Sequence, residues 1–297
     1  MKSVVFGGSG FLGSHVADAL TEAGSVVTIF DAKPSAYMQP AQRMVLGDIR
    51  DAAAVSKALQ GADVLYHLAG VTDLDDATTK ALETIEQNVM GTAVLLEAAV
   101  DAGVKRFVYA STVYVYSALG GFYRCSKQAA ELYIEEYQRR YGLPYTVLRY
   151  GTLYGPRADR RNSLWRYLRQ GLTQGKIVFQ GTGEEIREYL HVRDAAKLSV
   201  EILDEKFANQ HVIITGHQPM RTKDMLQTIQ EILNQQIAIE FVPVDPANHA
   251  HYALTPYSFT PKIGNKLVST CYVDMGQGLL ECLHELSVET GSAVGGR

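Results

Sequence analysis

The run VVFGGSGFLGSHV, residues 4–16, decides the fold. An apolar, partly β-branched start reads as the end of a strand, glycines follow at 7, 8, 10 and 13, and a helix-like stretch continues through Leu20. Gly7, Gly10 and Gly13 give the spacing G-x-x-G-x-x-G, while Gly8, Gly10 and Gly13 also satisfy G-x-G-x-x-G. Such a strand–turn–helix lets backbone approach a pyrophosphate at the positive end of a helix. Glycine turns are also common for structural reasons alone, so the reading depends on the surrounding chain.

Outward from this run, short apolar segments alternate with longer helical ones: VVTIFD, RMVLGD, DAAAVSKALQ, DVLYHLAG, LETIEQNVMGTAVLLEAAVDAG, RFVYAST and YTVLRYG. Strands that are apolar on both faces are those of a parallel sheet covered by helices on both sides. The alternation therefore predicts an α/β fold, a doubly wound parallel Rossmann sheet. From about residue 152 the pattern gives way to Arg-, Gly- and Pro-containing loops with shorter elements such as HVIITG and TKDMLQTIQEIL. We expect a dinucleotide-binding domain over 1–151, a segment at about 188–216 returning to it, and a smaller C-terminal α/β substrate domain over 152–297. The tail ETGSAVGGR reads as frayed.

Composition narrows the function. The chain has 297 residues, 46% hydrophobic and 20% charged, enough for a sizeable core. Its net charge of −4 and its lack of a dense Lys/Arg run argue against a nucleic-acid partner. Three scattered cysteines, Cys125, Cys271 and Cys282, suit neither a disulfide framework nor a metal site, and point to a reducing compartment. Glycines, His15 and Asp18 interrupt the N-terminal apolar stretch, and no run approaches the ~18 apolar residues of a membrane span. The expected location is cytoplasmic.

Asp31 ends the second strand, eighteen residues after Gly13, where a carboxylate accepts hydrogen bonds from an adenosine ribose. That favours NAD over NADP, whose extra phosphate it would repel; Lys33 is the nearby cation that could offset this. Asp48 either reaches the adenine amino group or caps the helix beginning DIRDAAAVSKAL, a role that suits Asp51 better. His67, inside a strand, reads as a packing residue. In STVYVYSALGGFYRCSK (111–127), Tyr123 and Lys127 stand four apart at the start of a helix, so both side chains share one face, and Ser111 and Thr112 close the strand before them.

Taken in order, GGSGFLG, Asp31, GDIRD, YHLAG, Asn88 in NVMGT, FVYASTVYVYS, YRCSK, LRYGTLYGPR and GTGEEIREYLHVRDAA resemble the extended short-chain dehydrogenase/reductase family, in its NAD-dependent nucleotide-sugar epimerase/dehydratase branch. The match runs from residue 4 to about 196. The resemblance implies that Tyr123 is the acid/base and that Lys127 favours its phenolate and holds the nicotinamide ribose, the direction a nearby cation requires. It places the catalytic hydroxyl at Thr112, with Ser111 the alternative. It implies NAD contacts from Gly7, Gly10, Phe11, Leu12, Gly13, Asp31, Asp48, Ile49, Leu68, Ala69, Gly70, Asn88 and Tyr150, besides Tyr123 and Lys127. Arg187 matches the arginine that clamps a nucleotide-sugar diphosphate, the alternative being a surface ion pair with Glu184, Glu185 or Glu188. Arg157, Arg160, Arg161, Arg166 and Arg169 form a basic stretch for which two readings stand, help with the phosphate and, for most of them the commoner, a solvated helix face. No metal is implied. A homodimer through LETIEQNVMGTAVLLEAAV and YRCSKQAAELYIEEYQRRYG is.

Three departures bear on substrate and a fourth on the reaction. Only eleven residues separate Thr112 from Tyr123, without the longer loop usual in sugar-nucleotide epimerases. The family's substrate-binding Asn is Thr152 here, and HYALTPYSFTPKIGNKL offers no clear second phosphate arginine. Dehydratases of this branch carry an Asp-Glu pair directly after the catalytic Thr; here it is Val113-Tyr114. The expected function is therefore a nucleotide-diphosphate-sugar epimerase, a 4-epimerase acting through a transient ketone. A reductase or dehydrogenase on the same residues and a non-catalytic dinucleotide sensor are the alternatives.

Overall fold

The computed structural model describes residues 1–72, 80–233 and 237–243. The chain divides into two compact units, 1–260 and 261–297, and every described residue belongs to the first.

Strand β1 (Lys2–Phe6) leads through the glycine turn into α1 (Phe11–Glu22), followed by β2 (Val26–Asp31), β3 (Arg43–Leu46), α2 (Ala52–Ala58) and β4 (Val64–His67). Next come α3 (Ala81–Thr84), a π-helical turn (Ile85–Met90), α4 (Gly91–Asp101), β5 (Arg106–Thr112), a 3-10 turn (Val113–Tyr116), α5 (Gly121–Tyr141) and β6 (Tyr145–Tyr150). These strands and β10 (Gln210–Ile214) form one seven-stranded sheet in the order β10-β6-β5-β4-β1-β2-β3, all neighbours parallel. The expected doubly wound fold is what forms. Strand order reverses between β1 and β4, and in such sheets ligands bind outside the carboxyl ends of the strands at that switch point.

Side chains alternate between two cores. Val4, Phe6, Phe30, Phe107 and Tyr109 pack under α2, α4 and α5, while Val5, Ile29, Tyr66, Val108 and Leu148 pack under α1 and α7 (Val192–Glu201). Each such fully buried side chain contributes about 1.5–3 kcal/mol over its exposed state. His67 belongs to this packing: it is buried, its Nε2 lies 2.9 Å from Thr92 Oγ1, and burial drives its pKa well below the ordinary histidine value.

Beyond β6 the chain builds a smaller lobe from β7 (Thr152–Tyr154), α6 (Ser163–Gln174), β8 (Lys176–Gln180), β9 (Ile186–His191), β11 (Pro219–Arg221), α8 (Thr222–Ile232) and β12 (Ala238–Val242). Here β9 pairs with β7 and β11, β12 pairs with β8, and Leu164, Ile177, Met225, Leu226, Ile229 and Ile237 form a third core. Between these pieces α7 and β10 rejoin the large sheet, β10 in register with β6 from Gln210–Thr146 to Ile214–Tyr150. Among the described residues no helix is long and apolar enough to cross a membrane. Cys271, Cys282, the stretch 251–267 and the C-terminal tail lie outside the described residues.

Candidate active site

The glycines of the first turn allow backbone to meet backbone. Gly7 has φ +83°, and a Cβ on it would lie 2.5 Å from the Ala69 nitrogen; one on Gly13 would lie 2.1 Å from the Gly7 oxygen. The turn is thus pressed onto both α1 and the end of β4. Behind it, Asp31 accepts hydrogen bonds from the Ser9 nitrogen (3.0 Å) and the Lys33 nitrogen (3.1 Å), so its carboxylate is fixed before any ligand arrives. Asp51 caps α2, accepting from the Ala53 and Ala54 nitrogens. Asp48 is left facing the cleft, held by Arg50 at 2.6 Å, and that hydrogen-bonded guanidinium pulls its carboxyl below the usual range.

A cleft of about 1370 Å³ crosses the carboxyl ends of the strands, and every residue assigned above to catalysis, cofactor or substrate lines it except Asn88. Asn88 is buried behind the wall: its amide exchanges hydrogen bonds with both backbone groups of Val71 (2.8 and 3.0 Å) and donates to Ser126 Oγ at 2.9 Å. In the structure its amide positions the loop after β4, between that loop and α5. Tyr150 presents its ring to the cleft, but its hydroxyl is tied to Ser199 Oγ at 2.5 Å, and burial pushes the phenol pKa up.

Helix α5 turns one face inward, burying Tyr123, Ser126, Lys127, Ala130, Glu131 and Ile134 at helical spacing. Lys127 Nζ donates to the Ala110 oxygen at 2.7 Å and lies 4.7 Å from the Tyr109 ring centre and 5.8 Å from that of Tyr123. Burial brings the Lys127 pKa down to about 8, with the Glu131 carboxylate opposing the fall. The two neighbouring hydroxyls have different partners. Ser111 Oγ donates to Glu131 Oε1 at 2.5 Å, whereas Thr112 Oγ1 accepts from the Tyr114 nitrogen at 3.3 Å.

The short loop before α5 has a structural counterpart. Gly120 sits at φ +101°, and a Cβ there would come within 2.8 Å of Tyr114 Cδ1, so this glycine makes room for the Tyr114 ring. That ring stands edge-on to Tyr123, centres 6.5 Å apart at 72°. Val113 is fully buried. Tyr114 therefore builds the wall beside Tyr123, a role the sequence reading missed although both residues were in view.

On the lobe side, Arg187 and Thr152 line the cleft. Glu184 pairs instead with Arg221 (3.4 Å) and Lys223. Most of the arginine-rich stretch is internally engaged: Arg157 pairs with Asp18 at 2.7 Å, Arg161 with Asp159 at 2.5 Å, and Arg169 stacks over Trp165. A glycine turn without side chains in its way, a pre-oriented Asp31 and the small residues Ala69 and Gly70 together fit a dinucleotide.

Residues 3–215 match the NAD dependent epimerase/dehydratase family. Among curated relatives, a UDP-N-acetyl-alpha-D-glucosaminuronate decarboxylase of Bacillus cytotoxicus is 27% identical over 271 residues, covering 82% of this chain and 84% of that protein. The UDP-glucose 4-epimerase of Thermotoga maritima, solved with UDP-glucose, superposes with a TM-score of 0.78 at 25% identity over 88% of this chain and 90% of its own. A double mutant of the dTDP-glucose 4,6-dehydratase of Streptomyces venezuelae, solved with NAD bound, gives 0.76 at 27% identity over 88% of each chain.

Proposed function

The chain belongs to the NAD-dependent epimerase/dehydratase family, and from that premise we propose that it is a cytoplasmic, homodimeric nucleotide-sugar 4-epimerase. The observation that carries this reading is the wall after Thr112. Val113 and Tyr114 stand where dehydratases of the branch need an acid and a base, while Tyr123, Lys127 and Thr112 all face one cleft.

The first glycine turn, Asp31 and the Tyr123–Lys127 helix would hold NAD, which when bound would supply the hydride acceptor and donor. Tyr123 takes the proton from the sugar hydroxyl as its carbon is oxidised, and returns it when the ketone is reduced from the other face. Lys127, fixed by the Ala110 carbonyl, stabilises the negative charge that develops on the Tyr123 oxygen. Thr112 hydrogen-bonds the reacting oxygen, and Arg187 grips the diphosphate with a planar guanidinium. We assign residues 1–151 with the returning segment of about 188–216 to NAD, and the rest of 152–297 to the nucleotide sugar. Pairing of two copies through the stretch 82–100 (α3, the π-helical turn and α4) and α5 is supported by the apolar side chains these segments expose, among them Leu82, Met90, Phe122, Leu132 and Tyr133.

The test is turnover of UDP-, GDP-, CDP- and dTDP-sugars in heavy water, read by NMR. A 4-epimerase returns hydrogen to the carbon it left, so the product should carry no carbon-bound deuterium and no NADH should accumulate. Deuterium next to the former carbonyl would instead indicate elimination or decarboxylation. Stoichiometric NADH would indicate net oxidation, and bound NAD without any turnover a sensor.

A further inference from the structure

Inside α5, one turn beyond Lys127, lies a carboxylate that the proposed chemistry does not use. Glu131 has a side chain only 7% exposed, and it accepts from Arg149 Nη2 at 2.6 Å, Arg149 Nε at 3.1 Å and Ser111 Oγ at 2.5 Å. Arg149 reaches on to the Tyr116 hydroxyl at 2.5 Å and lies 4.7 Å from that ring's centre. The chain of contacts joins β5, the 3-10 turn, α5 and β6. Ser111 and Tyr116 are its two ends on one short segment, and Thr112 lies between them.

A buried ion pair is poor evidence for stability, because apolar residues of similar volume commonly hold a fold as well. What it does here is geometric. We propose that Glu131 is a positioning residue: clamped by Arg149, it pins the segment 111–116 that carries Thr112 and keeps a negative charge one helical turn from the Lys127 ammonium. The proposal rests on reading Tyr123, Lys127 and Thr112 as the reacting groups.

The charge has a definite effect. Glu131 counteracts the burial that lowers the Lys127 pKa to about 8. Other groups face Glu131 from every side. Tyr109 and Ser111 do so from β5, Arg149 and Tyr145 from β6, and His211 from β10 at 3.8 Å, where it also meets Glu135 of α5 at 3.1 Å. Burial and Arg149 lower the His211 pKa, which favours its neutral form, so it does not offset the carboxylate's charge. Without Glu131 the Lys127 ammonium faces the same burial with no counter-charge, and it must deprotonate at lower pH.

The experiment is Glu131→Gln in the full chain, followed by NMR titration of the Lys127 Nζ and by amide exchange across 111–116. The titration midpoint should fall by about one pH unit, a tenfold weakening of proton affinity, and amides 112–116 should exchange faster. In turnover, the alkaline limb of kcat should move to lower pH by the same interval, with KM unchanged. If the lone Arg149 charge prevents folding, Glu131→Gln with Arg149→Met removes both charges and should show the same fall. A folded variant whose Lys127 titrates with the wild type, or whose 111–116 exchange is unaltered, overturns the proposal. Retention of activity in Tyr123→Phe would overturn the catalytic reading instead, and leaves the Lys127 titration untouched.

Discussion

Replacing Lys127 with Met separates what the ammonium costs the fold from what it gives the site. The gap between its free value of 10.5 and about 8 in the fold, at 1.36 kcal/mol per pH unit, is about 3 kcal/mol. Below pH 8 the lysine is protonated in both states and the folded protein bears the whole penalty. Between 8 and 10.5 the folded form has released the proton while the unfolded chain still holds it, so stability rises with pH. Met fills similar volume but loses the 2.7 Å hydrogen bond to the Ala110 oxygen, a contribution of about 1.5–3 kcal/mol for a charged donor. At pH 7 the two effects nearly cancel, and Lys127→Met should be about as stable as wild type although inactive. The decisive quantity is the difference between the two proteins as pH rises, because contributions from the raised tyrosines, common to both, drop out. By pH 9.5 wild type should have gained about 2 kcal/mol on the variant. Urea titrations at pH 7, 8, 9 and 9.5 measure this, and a stability difference that stays flat over the interval would refute the buried ammonium and the argument built on it.

Tyr123→Phe removes the titrating oxygen with little change in volume, so turnover should disappear, by at least ~100-fold, while calorimetry finds NAD affinity retained; activity within threefold of wild type sinks the acid/base assignment. Asp31→Ala should narrow a preference for NAD over NADP that we expect to be at least tenfold, about 1.4 kcal/mol. Equal affinities in the wild type would show that Lys33 outweighs the carboxylate. Gly13→Ala puts a methyl 2.1 Å from a backbone oxygen that cannot move aside, so about 1–3 kcal/mol of stability and the rise in Tm on adding NAD should both be lost.

Much of the large sheet was legible because its signals are local. RFVYAST is β5 residue for residue, and the helix expected to start at Tyr123 starts two residues earlier, running from Gly121 to Tyr141. Parallel strands buried on both faces announce themselves by composition. The smaller lobe was less legible because β7, β11 and β12 are three to five residues long and lean on tertiary partners, so neither length nor periodicity marks them. Asn88 shows the matching difficulty for sites: that its amide would bond both backbone groups of Val71 and Ser126 Oγ is set by tertiary packing and has no mark in the sequence. Glu131 was accessible in principle, four residues past Lys127 on the same helical face, but nothing in the sequence brings Arg149 to it.

The short loop, Gly120 and Tyr114 combine into one argument about chemistry. A shorter connection brings Gly120 against the 3-10 turn, and its missing Cβ and positive φ leave space for a ring rather than a flexible acidic chain. That ring packs on Tyr123 and helps fix its orientation. A carboxylate in the same wall would place a second negative charge beside a phenol that must itself become anionic, and like charges disfavour ionisation. Elimination of water needs that second group, because a proton must leave one carbon while a hydroxyl departs from another. Oxidation and return at a single carbon need only one acid/base. A wall from Thr112 to Tyr116 without a carboxylate therefore favours the reaction that needs one titrating group. Restoring the pair with Val113→Asp and Tyr114→Glu should weaken the proposed epimerase without creating a dehydratase, because the short loop still seats the new side chains against Gly120. Appearance of a 4-keto-6-deoxy sugar from that double variant would show that the pair, and not the loop, sets the reaction.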